Sequence, residues 1–158
     1  MGIPRRRAAA LPASELRVAE PPGAYARRPL LVADATVLAA LIFEEAEQLQ
    51  AAALLHGRAI AAPHLVDYEM SSVALKKLRR ERLPADLAVA ALEDFAALPL
   101  ERHSVAAGAM LSLARRYGLS AYDAAYLWLA AELEAPLATF DDRLADAARQ
   151  HLTGRHDR

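Results

Sequence analysis

Leu30-Leu31-Val32-Ala33-Asp34-Ala35-Thr36-Val37-Leu38-Ala39-Ala40-Leu41 is the stretch that decides the fold. Four apolar residues run into an aspartate, and a second apolar run follows at once. Residues 30–33 read as a buried strand, and the run from Ala35 reads as a helix. Asp34 stands at the joint. In an open parallel sheet, ligands bind outside the carboxyl ends of the strands, so the residue is placed where chemistry happens. Aspartate is also a preferred helix N-cap, and capping alone would explain it.

Downstream, short apolar runs alternate with helical patterns. A helix over 35–43 continues or restarts over 44–55, where Ala46, Leu49, Ala53 and Leu54 form the apolar stripe, and Gly57 closes it. Residues 59–62 form a second strand, stopped by Pro63. A helix over 64–82 carries Val66, Met70 and Val73 on one face, with Glu69 set among them. The next helix spans 84–98, with Leu87, Ala90, Ala91 and Phe95 as its stripe. A weaker strand is expected near 99–103, then a helix over 105–117 ended by Gly118. Ser120-Ala121-Tyr122-Asp123 has the capping-box spacing at the head of a nearly all-apolar helix. A strand over 136–140 and a helix over 143–150 follow, and 151–158 read as a polar tail or short edge strand. This order predicts an α/β fold: a three-layer α/β/α sandwich on a mostly parallel sheet of four to five strands.

Composition narrows the function classes. With no cysteine among 158 residues, disulfides and thiolate metal sites are excluded, as suits a cytoplasmic protein. No apolar run reaches the ~18 residues that span a bilayer. The net charge of −1 hides an asymmetry: residues 1–29 carry six arginines against two glutamates, and the rest is acidic. Proline and glycine punctuate 1–29 too often for a long element, so they are expected to be a flexible N-terminal extension to a domain over 30–150. An acidic domain needs local basic patches or metal ions to attract a polyanion.

Four acids stand out. Asp34 and Asp141 each end a buried strand, and therefore share one sheet edge. Asp123 lies in the first turn of the helix that feeds the last strand. Glu69 lies early in the helix that leaves the second strand, on its core-facing side. Each has a plain alternative: a cap for Asp34 and Asp141, a helix-dipole partner for Asp123, a glutamate paired with arginine for Glu69. Together they converge on one pocket, where clustered carboxylates repel unless a cation neutralises them. Oxygen donors without cysteine select Mg²⁺ or Mn²⁺ over zinc. Thr36 and Thr139 are positioned to orient them. An aspartyl-nucleophile phosphatase would want an acid at Thr36, and a receiver-type module would want a late lysine, whereas the last lysine is Lys77.

Residues 31–36 (LVADAT), 62–69 (APHLVDYE), 119–126 (LSAYDAAY) and 137–144 (LATFDDRL) resemble the four acidic motifs of the PIN-domain ribonucleases, and most of all the VapC-type toxins of toxin–antitoxin pairs. The resemblance covers about residues 30–150. It implies Mg²⁺ or Mn²⁺ binding by Asp34, Glu69, Asp123 and Asp141, endonucleolytic cleavage of RNA such as tRNA, a cognate antitoxin and a homodimer. Lys76, Lys77, Arg79, Arg80, Arg115, Arg116 and Arg143 are then candidate RNA contacts. A PIN-fold nuclease that is not a toxin, or a catalytically silent PIN-fold binding module, is the alternative.

Overall fold

The computed structural model describes residues 28–80 and 82–153. The expected extension over residues 1–29 falls almost wholly outside them. The elements run β1 (Leu30–Ala33), α1 (Ala35–Ile42), α2 (Gln48–Leu55), β2 (Ala59–Pro63), α3 (Val66–Arg80), α4 (Ala85–Ala97), β3 (Leu100–His103), α5 (Ala107–Tyr117), α6 (Ala121–Glu132), β4 (Leu137–Ala138) and α7 (Asp142–Thr153). The sheet order is β3-β2-β1-β4, and each of its three pairings is parallel.

That order follows from the crossovers. The chain steps from β1 to β2 to β3 in one direction, then returns past both to place β4 on the free side of β1. Helices α1 to α4 pack on one another, while α5, α6 and α7 form a second group with α6 against β1, β2 and β4. The sheet lies between two helical layers, as expected of an α/β sandwich. Its central strands are apolar on both faces: Leu31, Val32, Ala33, Ile60, Ala61 and Ala62 are all buried. Burial of side chains such as Leu38, Met70, Leu127 and Leu144, each worth roughly 1.5–3 kcal/mol, holds the layers together. The reversal of direction between β1 and β4 creates a switch-point crevice at the carboxyl ends of those two strands.

Three details correct the sequence reading, and one decides a point it left open. β4 is two residues long and not 136–140, because Thr139 and Phe140 turn their hydrogen-bonding groups toward the head of α1: Thr139 donates to Asp34, and the Phe140 amide donates to Thr36. The break between α1 and α2 is real, with Glu44 in the left-handed region at φ 51°. In α2 and α4 the buried face is rotated from the stripe read from sequence. Ala51 and Leu55, and Ala88 beside the expected Phe95, point inward, while Leu49 is 84% and Leu87 54% exposed. Lastly, α7 runs through Thr153, so residues 151–153 are helix and not a tail or strand. Leu152 packs against the core and the His151 ring meets Tyr117 edge-on, contacts that reward the extra turn.

Candidate active site

Asp34 follows the last residue of β1 and is 4% exposed. Its backbone amide still donates to the Ala138 carbonyl of β4 (3.1 Å), which pins it in the crevice. Oδ1 accepts from the Thr36 amide (2.8 Å), the Thr36 hydroxyl (2.5 Å) and the Val37 amide (3.2 Å). Oδ2 accepts from the Thr139 hydroxyl at 2.6 Å. The cap is therefore genuine, and it uses one oxygen while the other faces β4. Burial pushes the Asp34 carboxyl above the usual aspartate range, opposed by the donors from Thr139, Thr36 and Val37.

Thr139 ties this acid to the next. Its oxygen accepts from the Asp141 amide at 2.9 Å, and Asp141 Oδ1 accepts from the Leu144 amide at 2.8 Å, capping α7. Thr36 closes the loop by accepting from the Phe140 amide at 3.0 Å. Two threonines thus lock the segment after β1 to the segment after β4.

Glu69 and Asp123 arrive from α3 and α6. Glu69 Oε2 accepts from the Tyr126 phenol at 2.5 Å. Tyr126 sits one turn along α6 from Tyr122 and is 2% exposed, so its hydroxyl requires a partner. Burial raises the Glu69 carboxyl first, the Tyr126 bond lowers it, and the negative charges of Asp34 and Asp123 raise it again. Burial and the nearby Glu69 push the Tyr126 phenol far up, so it stays a donor. Asp123 completes the capping box: Oδ2 accepts from the Ser120 hydroxyl (2.7 Å) and amide (3.2 Å), and the Asp123 amide donates back to Ser120 Oγ (3.0 Å).

Asp34, Glu69 and Asp123 are therefore near enough to repel, and Asp141 is joined to Asp34 through Thr139. Among the described residues, no three acidic or imidazole side chains stand close enough to share one ion as they are placed. Asp34, Asp123 and Asp141 each turn at least one oxygen onto a cap or hydroxyl. Their partners, and that of Glu69, are amides and hydroxyls, which are neutral. Hydrogen bonds position these carboxylates without cancelling their charge, and an all-oxygen set of this kind suits a hard divalent cation.

The basic candidates divide by position. Lys76, Lys77, Arg79 and Arg80 lie seven to eleven residues along α3 from Glu69, about 10–17 Å away at 1.5 Å per residue. Lys77 is paired with Glu45 at 2.7 Å. Arg115 and Arg116 end α5, and Arg143 in the first turn of α7 donates to the Gly118 carbonyl. Of the seven, Arg143 is the one tied by sequence and by contact to the acidic edge. Sequence reasoning gave Tyr126 no role. Its hydroxyl, one turn after Tyr122 and inside the apolar run from Ala124 to Ala131, was the signal for it.

A PIN domain profile matches residues 31–150, a span that contains all four acids. The chain belongs to the PIN-domain family. It is 38% identical over 122 residues to the protein named VapC ribonuclease Mb0985 of Mycobacterium bovis, covering 76% of this chain and 92% of the relative. The protein named Ribonuclease VapC9 of Mycobacterium tuberculosis matches to the same extent. Ribonuclease VapC3 of Pyrobaculum aerophilum is 33% identical over 121 residues, with 73% and 92% covered. Among solved structures, PAE2754 from Pyrobaculum aerophilum superposes with a TM-score of 0.61 at 21% identity, covering 83% of this chain and 92% of that one. The switch-point crevice is thus built on the PIN fold. Among the described residues, no helix is long and apolar enough to cross a membrane.

Proposed function

We propose that this PIN-domain protein is a Mg²⁺- or Mn²⁺-dependent endoribonuclease and the toxin of a toxin–antitoxin pair. One observation carries the reading: a buried aspartate at the switch point, held by neutral donors alone, beside a glutamate whose carboxyl is raised by burial and then by the charges of that aspartate and Asp123. The names of the relatives support the substrate class. Asp34, Glu69, Asp123 and Asp141 would hold the ion. When bound, it would neutralise charge developing on a phosphodiester and lower the pKa of water.

The chain's own groups do the positioning. Thr36 and Thr139 keep Asp34 and Asp141 at fixed separation, and Tyr126 keeps Glu69 extended toward them. These contacts are the orienting shell that a carboxylate site needs. No side chain is required as nucleophile, since catalysis of phosphoryl transfer rests on position and electrostatics. A cytoplasmic protein, a homodimer and an antitoxin that covers the acids complete the proposal.

Purified protein incubated with total RNA and Mg²⁺ or Mn²⁺ tests it, with sequencing of the cut ends. Defined cleavage sites that vanish with chelator are expected; intact RNA under every metal overturns the enzyme reading. Expression of the chain alone should slow growth, with rescue by the neighbouring gene product. Unaffected growth despite active, folded enzyme would overturn the toxin role and leave the nuclease.

A further inference from the structure

A polar cavity of about 300 Å³ is lined by Arg116, Tyr117, Arg143, Asp146, Ala147 and Gln150. It is formed where the head of α7 meets the turn between α5 and α6. Both arginines are held in place. Arg143 donates to the Gly118 carbonyl, and the Arg116 guanidinium lies 5.2 Å from the Tyr117 ring centre. The Tyr117 hydroxyl is in turn within 3.1 Å of His151 Nδ1. The one acid in the lining, Asp146, is paired with Arg149, which stands outside it. The lining therefore carries two arginines against one aspartate that is already paired.

Its place in the chain is informative. Arg143 is two residues after Asp141, and Gly118 is two residues before Ser120, the capping partner of Asp123. The cavity thus lies on α7, which Asp141 caps, and Arg143 reaches from it to the turn that leads into the helix of Asp123. An acidic crevice repels a polyanion; a positive cavity at its border supplies attraction that the crevice lacks. Guanidinium forks match phosphate oxygens in two-point geometry. We infer that the Arg116–Arg143 cavity is a phosphate subsite. It binds a backbone phosphodiester of the RNA next to the one that is cut, and so fixes the strand's register over Asp34, Glu69, Asp123 and Asp141. The inference rests on the ribonuclease reading.

The test uses the full chain and a short single-stranded RNA, with calcium in place of magnesium so that binding is read apart from cleavage. Arg116→Gln and Arg143→Gln should each weaken binding about tenfold. Each should also lower the slope of log affinity against log salt by about 0.7, the value for one phosphate contact on a single strand. Arg143→Lys, which keeps the charge and loses the fork, should keep the salt slope and recover only part of the affinity, and Arg58→Gln, at the amino end of β2, should change neither quantity. Because Arg143 also braces Gly118, melting temperatures accompany the series, and Arg116→Gln keeps the test decisive where Arg143→Gln is unstable.

Walking one methylphosphonate link along the RNA should reveal a single position, other than the cleavage site, whose neutralisation weakens wild-type binding. That position should fall silent in Arg116→Gln. RNA bound and cut by the wild type, with slopes unchanged in both glutamine variants, overturns the subsite and leaves the nuclease reading intact. An equal loss in Arg58→Gln shows diffuse attraction and also overturns it. A wild type that neither binds nor cuts RNA overturns both.

Discussion

Two acids two residues apart on α3 meet opposite fates. Asp67 faces the β3 side, where the Arg102 guanidinium lies 2.9 Å from its carboxylate and 5.4 Å above the Phe95 ring. Glu69 faces the β1–β4 crevice, where its partner is a phenol and its neighbours are two more acids. The same helix thus supplies one region whose charge is balanced internally and one whose charge is left standing. Stability alone favours the first arrangement. The second costs folding free energy, through burial and like-charge repulsion, and is understandable where something outside the chain completes it.

Substitution should separate the two regions most sharply in catalysis. Asp34→Asn keeps the cap and the shape but removes the charge, so metal-dependent cleavage should fall by more than about 100-fold, beyond the loss typical of an outer-shell partner. Asp67→Asn should leave cleavage unchanged. An RNA cleavage time course on the two variants reads this directly, and equal losses would erase the distinction. Asp34→Ala belongs beside them: losing the cap oxygen costs about 1 kcal/mol of stability, whereas Asp34→Asn should melt no lower than the wild type. If both Asp34 variants destabilise the metal-free protein and both still cleave, the acid is structural.

Tyr126→Phe sharpens the crevice side. It strips Glu69 of its donor, so cleavage should drop about tenfold, with a stability loss of about 1 kcal/mol measured by urea unfolding. A silent Tyr126→Phe would mean that Glu69 needs no positioning.

The pH dependence has a definite sign. The folded protein holds protons on Asp34 and Glu69 to higher pH than the unfolded chain, whose reference values are 3.8 and 4.5. The contribution of these groups is therefore fully present below those values and is lost as pH rises through the raised folded ones. In metal-free buffer, the wild type should lose melting temperature across that window relative to an Asp34→Asn/Glu69→Gln double variant. Parallel curves would show that burial and repulsion there are without consequence. The smallest effect belongs to the other region: the Asp67–Arg102 pair is partly exposed, so Asp67→Asn should cost no more than about 1 kcal/mol.

Much of the architecture is legible in the chain because β1 reads as a strand and α1 as a helix whether Asp34 caps, binds or does both. Apolar residues on both faces, an acid at the joint and a helix starting at Ala35 fit a central parallel strand and little else. The capping box at Ser120 is equally local. What sequence misplaces is the face of the alanine-rich helices. In Ala85–Ala97, alanine occurs on every side, so Leu87 and Ala88 offer rival stripes and only packing chooses Ala88. The acids could be assigned to one edge, and Thr36 and Thr139, two residues from Asp34 and Asp141, to their support, as the hydrogen bonds to Asp34 bear out. Tyr126 could not be assigned: it lies 57 residues from Glu69, and no local pattern encodes such a pair. The cavity at Arg143 was hidden for the same reason: it exists only because α7 returns to the α5–α6 turn.

The central claim is that the crevice acids await a divalent cation and that the balanced acid on the same helix does not. Mn²⁺ titration followed by thermal unfolding of the full chain tests it without recourse to activity, since an ion that binds only the folded state raises the melting temperature with its concentration. The wild type and Asp67→Asn should rise together, and Asp34→Asn should stay flat. A wild type indifferent to Mn²⁺, or an Asp34→Asn variant stabilised as much as the wild type, would contradict the account.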